Sequence, residues 1–379
     1  MEGLISSSAQ AIEENDDLLT QILVRLPHKD AITFKFVSKR WRSLISSPYF
    51  RRCHATVKRR VSGLFLYHVT NPVNYGFKFF SFDTSSSSSC FPEIPDLISW
   101  QILQSCNGLM LVHKSKEMFI YNPTTGDKKT LPWPFPWLLG SLFVYYALAF
   151  DPLRFLGYKL IYIFGVEFSK EVRYQTMIYS SESGVWNLCG SSFSTPFERM
   201  DFAHAIYFKD SVYWIGSRSK MTLRFDLKKE CVKDDMPPLP AEPHHYYKYF
   251  LASACGFMNL VGFGDSELCV SVFRLKEDYS SRWVLMHNVE LQFTPLVIRE
   301  NGSLRRPYSI IYLIEDDEDE MALLVQTKGK VSALRLKDNT YHHVFDLPKV
   351  RSTDLHYSFP MAVMEWHRAF EYIETLACV

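Results

Sequence analysis

Gly264-Asp265-Ser266 sets a serine beside a carboxylate in a glycine-bearing turn, the residue types of a hydrolytic nucleophile. No Gly-x-Ser-x-Gly elbow surrounds it, and it lies between two strand-like runs, so a β-turn accounts for it. Gly262 and Gly264 lack the third glycine and the following helix of a dinucleotide fingerprint. His244 and His245 are metal-ligand types, but adjacent side chains of an extended chain point opposite ways and do not converge on one ion. His342 and His343 read as one inward and one outward side chain on a strand. The eight cysteines (Cys53, Cys90, Cys106, Cys189, Cys231, Cys255, Cys269 and Cys378) form no Cys-x-x-Cys pair. Most lie in apolar runs, where a thiol packs as a small hydrophobe. These residues predict no catalytic centre, no metal site and no cofactor.

Binding chemistry is better represented. The stretch 131–140 carries Trp133 and Trp137 among three prolines, and Tyr246 and Tyr247 follow a proline-rich run from Pro237 to Pro243. Prolines interrupt strand pairing, so both stretches read as loops. Aromatic side chains on rigid loops supply concentrated binding energy. Trp133, Trp137, Tyr246 and Tyr247 are therefore candidate anchors for a protein, the competing reading being that they fill gaps between packed elements. Residues 315–320 are six consecutive acids, a hydrated hairpin loop by default and a contact for a basic target otherwise. Ser85–Ser89 reads as a flexible loop.

The elements that position these residues follow from composition and pattern. The chain has 379 residues, 47% hydrophobic and 15% aromatic, enough to build a sizeable core. Its net charge of +1 argues against a nucleic-acid partner, which needs clustered cations. The charge is uneven: residues 1–60 hold 11 Lys and Arg against 6 Asp and Glu, and the remainder is acidic. No basic leader with an apolar core opens the sequence, and no run of 18 apolar residues exists. The expectation is a cytoplasmic or nuclear protein with reduced thiols and no membrane partner.

Residues 16–26 predict a helix with Asn15 as N-cap and Asp16 and Asp17 at the positive end of its dipole. Leu18, Leu19, Ile22, Leu23 and Leu26 form one wide apolar face, and Pro27 stops the helix. Asp30 predicts the cap of a second helix bearing Ile32, Phe34 and Val37. Ser38 predicts the cap of a third, bearing Trp41, Leu44 and Ile45 and closed by Pro48. Three short helices make a very small core whose apolar faces need covering by a partner.

The stretch from Asn15 to Phe50 resembles the F-box, particularly the plant type. The matching residues are Leu18-Leu19, Ile22-Leu23, Leu26-Pro27, Val37, Lys39, Trp41-Arg42 and Leu44-Ile45. Glu14-Asn15 stand where the family usually has Leu-Pro, a departure at one edge of the expected contact. The resemblance implies docking on a Skp-family adaptor and, through it, on a cullin scaffold. Leu18, Leu19, Ile22, Leu23, Leu26, Pro27, Val37 and Trp41 are the expected adaptor-binding residues, some of which must also serve the module's own core.

Beyond residue 60, helical periodicity gives way to short apolar strands separated by turn residues. A unit of strand, short polar turn and strand recurs near residues 80, 120, 178, 224, 272 and 334, a mean period of about 51 residues. Stacking such sheets radially buries both faces of each, and closing the circle removes the edges. Six copies predict six blades. Ser105–Leu109, Tyr121–Gly126, Phe150-Asp151-Pro152, Tyr158-Lys159, Tyr213-Trp214, Phe225-Asp226-Leu227 and Trp283 resemble the F-box-associated domain of plant F-box proteins, a relative of kelch propellers.

The fold class expected is multidomain: an all-α F-box of three helices, then an all-β propeller. The boundaries are a flexible segment 1–12, the F-box 13–55 and the propeller 61–379, with residues 359–379 packing back on the first blade or the F-box. The resemblance implies a non-catalytic substrate receptor of a Skp–cullin–F-box ubiquitin ligase. Its partners would be the adaptor, the cullin behind it and a protein substrate. A propeller enzyme or sugar-binding module with an incidental helical cap is the alternative. An F-box scaffold acting outside a ligase is a third reading.

Overall fold

A computed structural model describes Ile12 and residues 15–57, 60–69, 75–82, 100–134, 143–155, 157–168, 171–190, 192–195, 202, 205–215, 222–240, 248–254, 256–263, 269–277, 281–291, 299–300, 303–304, 308–315, 320–327, 329–347 and 369–379.

Among the described residues, from Asp16 on, four helices come first: α1 Asp16–Leu23, α2 His28–Phe34, α3 Lys39–Ser46 and α4 Pro48–Val57. Asn15 caps α1, its Oδ1 accepting from the amides of Asp17 and Leu18 at 3.0 and 3.1 Å. Ser38 caps α3 through the amide of Trp41. Two local expectations change. Asp30 is not a cap, because α2 begins at His28 with Pro27 as its N-cap, and Asp30 lies in the first turn. Pro48 does not merely follow α3. It opens α4, where a missing N–H is harmless and the fixed φ suits a first turn, and Ser47 Oγ accepts from the amide of Phe50. Leu19, Leu23, Ala31, Ile45 and Phe50 form the buried centre of this bundle.

The described strands form seven antiparallel sheets, six of them the blades of a propeller and the seventh the two-stranded pair Arg299–Glu300 and Ser303–Leu304. Blade 1 holds Ala369–Ile373, Val61–Val69 and Tyr75–Ser81. Blade 2 holds Gln101–Cys106, Leu109–Lys114, Glu117–Tyr121 and Lys128–Thr130. Blade 3 holds Phe143–Ala149, Lys159–Phe168, Glu171–Ser180 and Val185–Leu188, with Phe193–Thr195 also paired to its third strand. Blade 4 runs from Ile206–Phe208 to Cys231–Lys233, blade 5 from Lys248–Ala254 to Arg282–Glu290 and blade 6 from Ser309–Glu315 to Tyr341–Asp346. The first strands of successive blades pack on one another and line the axis.

The recurring sequence unit is one piece of this architecture. In blades 2 to 6 it is the hairpin joining the third and fourth strands, and its first copy begins in the third strand of blade 1, counted from the axis. Turn chemistry made it legible. In blade 2, for example, Asn122 Oδ1 accepts from the amides of Thr124 and Thr125, and Gly126 takes a positive φ.

Apolar clusters lie between neighbouring blades, which is the burial that drives radial stacking. Leu64, Ile311 and Leu324 share one between blades 6 and 1, and Phe65, Met110 and Tyr372 share another between blades 1 and 2. The ring closes where Ala369–Ile373 pairs antiparallel with Val61–Val69, from Val61↔Ile373 to Leu66↔Ala369. The far end of the chain therefore supplies the innermost strand of the first blade, as the expectation for residues 359–379 required of its described part.

Candidate protein-interaction site

Antiparallel strands alternate in direction, so the turns after first and third strands gather on one face of the disc. The connections between blades gather on the other. Asn107-Gly108, Pro152 and residues 374–376 lie on the first face and, with His28, Arg51 and His54, line the seam between helices and disc. The helical bundle thus sits on the turn face. The void at this seam is about 10 Å³, no more than one water.

The eight expected adaptor-contact residues divide into two sets. Leu18 and Ile22 are exposed, four residues apart on one stripe of α1. Leu19 and Leu23, on the adjacent stripe, are buried in the bundle core. Leu26 and Trp41 are half-buried against that core, with Trp41 edge-on to Phe34 at 5.5 Å. Pro27 and Val37 are exposed. Sequence reasoning missed Phe36, which is 85% exposed, and Tyr49, exposed on α4. Phe36 and Val37 lie past the end of α2 in a turn whose amides bond to Thr33 and Phe34. A helical face continued through Val37 therefore misplaces them. Of the fourteen large apolar side chains exposed among the described residues, five fall between Leu18 and Tyr49.

Of the four candidate loop aromatics, only Trp133 is described, and it is 56% exposed. It follows the last strand of blade 2, on a connection between blades and so on the face away from the bundle. Trp137, Tyr246 and Tyr247 lie outside the described residues, as do His244, His245, Gly264, Asp265 and Ser266. Of the acidic run, Glu315 ends one strand of blade 6 and Glu320 sits just before the next, joined to Lys337 at 3.0 Å.

On the axis, a cavity of about 390 Å³ opens toward the turn face and is lined by all six blades, among them Glu371, Ser105, Asp151, Tyr207, Ser253 and Tyr312. Its charges are matched within the fold. Tyr312 Oη donates to Glu371 Oε2 at 2.8 Å, Arg154 meets Asp210 at 2.6 Å, and Lys209 meets Glu277 at 2.9 Å. Burial raises the Tyr207 hydroxyl well above its usual range. Among the described residues no three His, Cys, Asp or Glu side chains group as metal ligands, and no helix is long and apolar enough to cross a membrane.

Comparison with known proteins decides the family. Residues 15–53 match the F-box domain. Residues 75–345, well over half of the chain, match the family described as F-box protein At3g26010-like, beta-propeller. The chain belongs to this family. It is 28% identical to F-box protein At5g07610 of Arabidopsis thaliana over all of this chain and 95% of that protein. It is 26% identical to F-box protein At3g26010 of the same plant over 88% of this chain and 82% of that protein. Among solved structures, an oligogalacturonate lyase in complex with manganese aligns over 74% of this chain and 75% of that one, with 7% identity and a TM-score of 0.40, a likeness too distant to bear on function. The F-box is a non-catalytic protein-interaction module that generally binds Skp1-like adaptors, and an F-box followed by a propeller is typical of ligase substrate receptors.

Of the propeller residues that carry the family resemblance, those in the turns of blades 2 and 3 serve the seam, while Tyr158, Tyr213, Trp214, Phe225, Leu227 and Trp283 pack in or against the clusters between blades. Asn107 Nδ2 donates to the Phe150 carbonyl, and Cys106 Sγ accepts from the Phe150 amide at 3.4 Å, which ties the turns of blades 2 and 3 together. Asn122 and Thr124 hold the segment that runs under the helices.

Proposed function

We propose that this chain is the substrate-recognition subunit of a Skp–cullin–F-box ubiquitin ligase. The observation that carries the reading is the exposed apolar set Leu18, Ile22, Phe36, Val37 and Tyr49 on a bundle whose family binds adaptors. Leu18, Ile22, Pro27 and Val37 are the solvent-facing members of the expected contact, and Phe36 and Tyr49 extend it. Leu19 and Leu23 act through the bundle core, with Leu26 and Trp41 packed against it. The mechanism is proximity: a receptor raises the effective concentration of substrate lysines near a charged conjugating enzyme, with no chemistry of its own.

Substrate capture belongs, in this reading, to the connections between blades, on the face away from the bundle. The exposure of Trp133 supports that assignment, and Trp137, Tyr246 and Tyr247 are its further candidates. The test is a titration of full-length Phe36→Asp, Val37→Asp protein against a Skp-family adaptor. The expected result is a loss of at least about tenfold in affinity with the thermal transition unchanged, since central interface anchors carry most of the binding energy. Unchanged affinity would remove the proposal.

A further inference from the structure

The bundle core is not made by the bundle alone. Leu376, which follows all six blades in chain order, is buried among Leu19, Leu23, Ala31, Ile45 and Phe50. It belongs to a strap, residues 374–379, that leaves the innermost strand of blade 1 and passes between helices and disc. The strap alternates as an extended segment does. Glu374 and Leu376 turn to the helices: Glu374 Oε2 meets His28 Nδ1 at 2.9 Å, and Leu376 completes the core. Thr375 and Ala377 turn to the disc, where both are buried. Asn122 of blade 2, fully buried, donates to the carbonyls of Thr375 and Ala377 at 3.1 and 2.8 Å. The amide of Thr375 donates to Thr124 Oγ1 at 3.1 Å.

We infer that the strap makes the F-box conditional on the closed propeller. A bundle this small has little core to spare, and one of its buried leucines arrives only when residues 369–373 are seated against residues 61–69. Glu374, Leu376 and Asn122 are positioning residues: they fix the helices on the disc and hold their core shut, and so act on adaptor binding without touching the adaptor. A propeller that fails to close leaves a bundle with an open core and a misplaced docking surface. The receptor then engages its adaptor only when its substrate-binding half is intact. This rests on the proposed adaptor role for its functional meaning, and its physical content is tested without the adaptor.

The experiment is native-state hydrogen exchange on full-length Leu376→Asp and Leu376→Ala proteins, followed by adaptor titration. The expected result is that amides of α1 and α3 exchange at least about tenfold faster in both variants while second-strand blade amides keep their protection, because stability is lost locally. Adaptor affinity falls in step, and Leu376→Met restores both. Wild-type protection in α1 and α3 of either variant overturns the inference. So does equal loss of protection in blades and helices, which would make Leu376 a part of the propeller. Lost protection in a protein whose wild type binds no adaptor would upholds the coupling and remove the proposed function instead.

Discussion

Gly108 lies so close to Thr375 that a Cβ built on the glycine would stand 2.6 Å from the threonine Cγ2. It would also fall inside contact distance of the Ile373 carbonyl oxygen. The turn joining the first two strands of blade 2 passes directly beneath the strap, and only a residue without a side chain fits. Its φ of +94° is a second reason, since L side chains rarely adopt it. Gly108→Ala is expected to lower stability by about 1–3 kcal/mol from backbone strain, with the steric clash adding to it. Equilibrium urea denaturation measures this, and a midpoint equal to wild type would show that the strap yields freely.

Asn122 serves two partners at once. Its Oδ1 accepts from the amides of Thr124 and Thr125, shaping the blade 2 hairpin, and its Nδ2 bridges two strap carbonyls. Asn122→Asp keeps the acceptor and loses the donors, whereas Asn122→Ala loses both. An unsatisfied buried polar group costs about 1–3 kcal/mol. Both variants are expected to melt well below wild type, Asn122→Asp because it sets a buried carboxylate against the Thr375 and Ala377 carbonyl oxygens. If Asn122→Asp melts like wild type, the strap bonds contribute nothing and the hairpin explains the residue.

Leu23 and Phe36 separate core from surface. Leu23→Ala opens a cavity in the bundle and is expected to destabilise it by about 2–5 kcal/mol. Phe36→Ala removes an exposed ring and is expected to leave stability within about 0.5 kcal/mol. Adaptor affinity is expected to fall in both, through unfolding in the first and through lost contact in the second. Calorimetry of the two proteins beside an adaptor titration distinguishes the routes. A stable Leu23→Ala protein would contradict the core described.

These assignments show what the sequence carried and what it did not. The caps at Asn15 and Ser38 and the hairpins of blades 2 to 6 were legible because each is a local event: one side-chain oxygen or one tight turn demands a particular residue type. The fourth helix was hidden because Pro48 reads equally well as a terminator or as a first-turn residue. Phe36 was hidden because a face continued past the true end of α2 points the wrong way. The strap was anticipated only as a tail packing back on the first blade or the F-box, and its alternation and its partners were beyond reach for a different reason. Six residues hold too few alternations to declare a pattern, and their two partners, Leu23 and Asn122, lie hundreds of positions upstream.

Asp210 joins blade 4 to blade 3. Lys228 meets it at 2.9 Å and Arg154 at 2.6 Å. Burial pushes its carboxyl group up, but the hydrogen bonds of Lys228 and Arg154 outweigh this and hold it below the usual carboxylate range. A carboxylate held low in the folded state stabilises above its unfolded pKa and loses that contribution as pH falls through the folded value. Asp210→Asn is therefore expected to be less stable than wild type at neutral pH. The difference should shrink as the pH drops below about 4, where the unfolded carboxyl also takes up its proton. Denaturation midpoints compared across that range are the measurement, and a constant difference down to the acid limit would exclude the ion pairs as its source.

The seam of blade 1 sets a pace as well as a shape. Val61 pairs with Ile373 across roughly 300 residues of chain, so the contact order of this one sheet is very high, and loop closure must precede any gain from it. Blades 2 to 6 are each built from neighbouring segments and can form while the chain is still emerging from the ribosome. Until the ring shuts, the described part of blade 1 is the pair Val61–Val69 and Tyr75–Ser81, whose inner edge, Val61 to Leu66, offers unpaired amides and carbonyls to any passing strand. A nascent receptor is accordingly most exposed to aggregation in the interval between finishing blade 6 and receiving residues 369–373, and a refolding assay should show its slowest phase accelerated by substitutions that favour that last pairing.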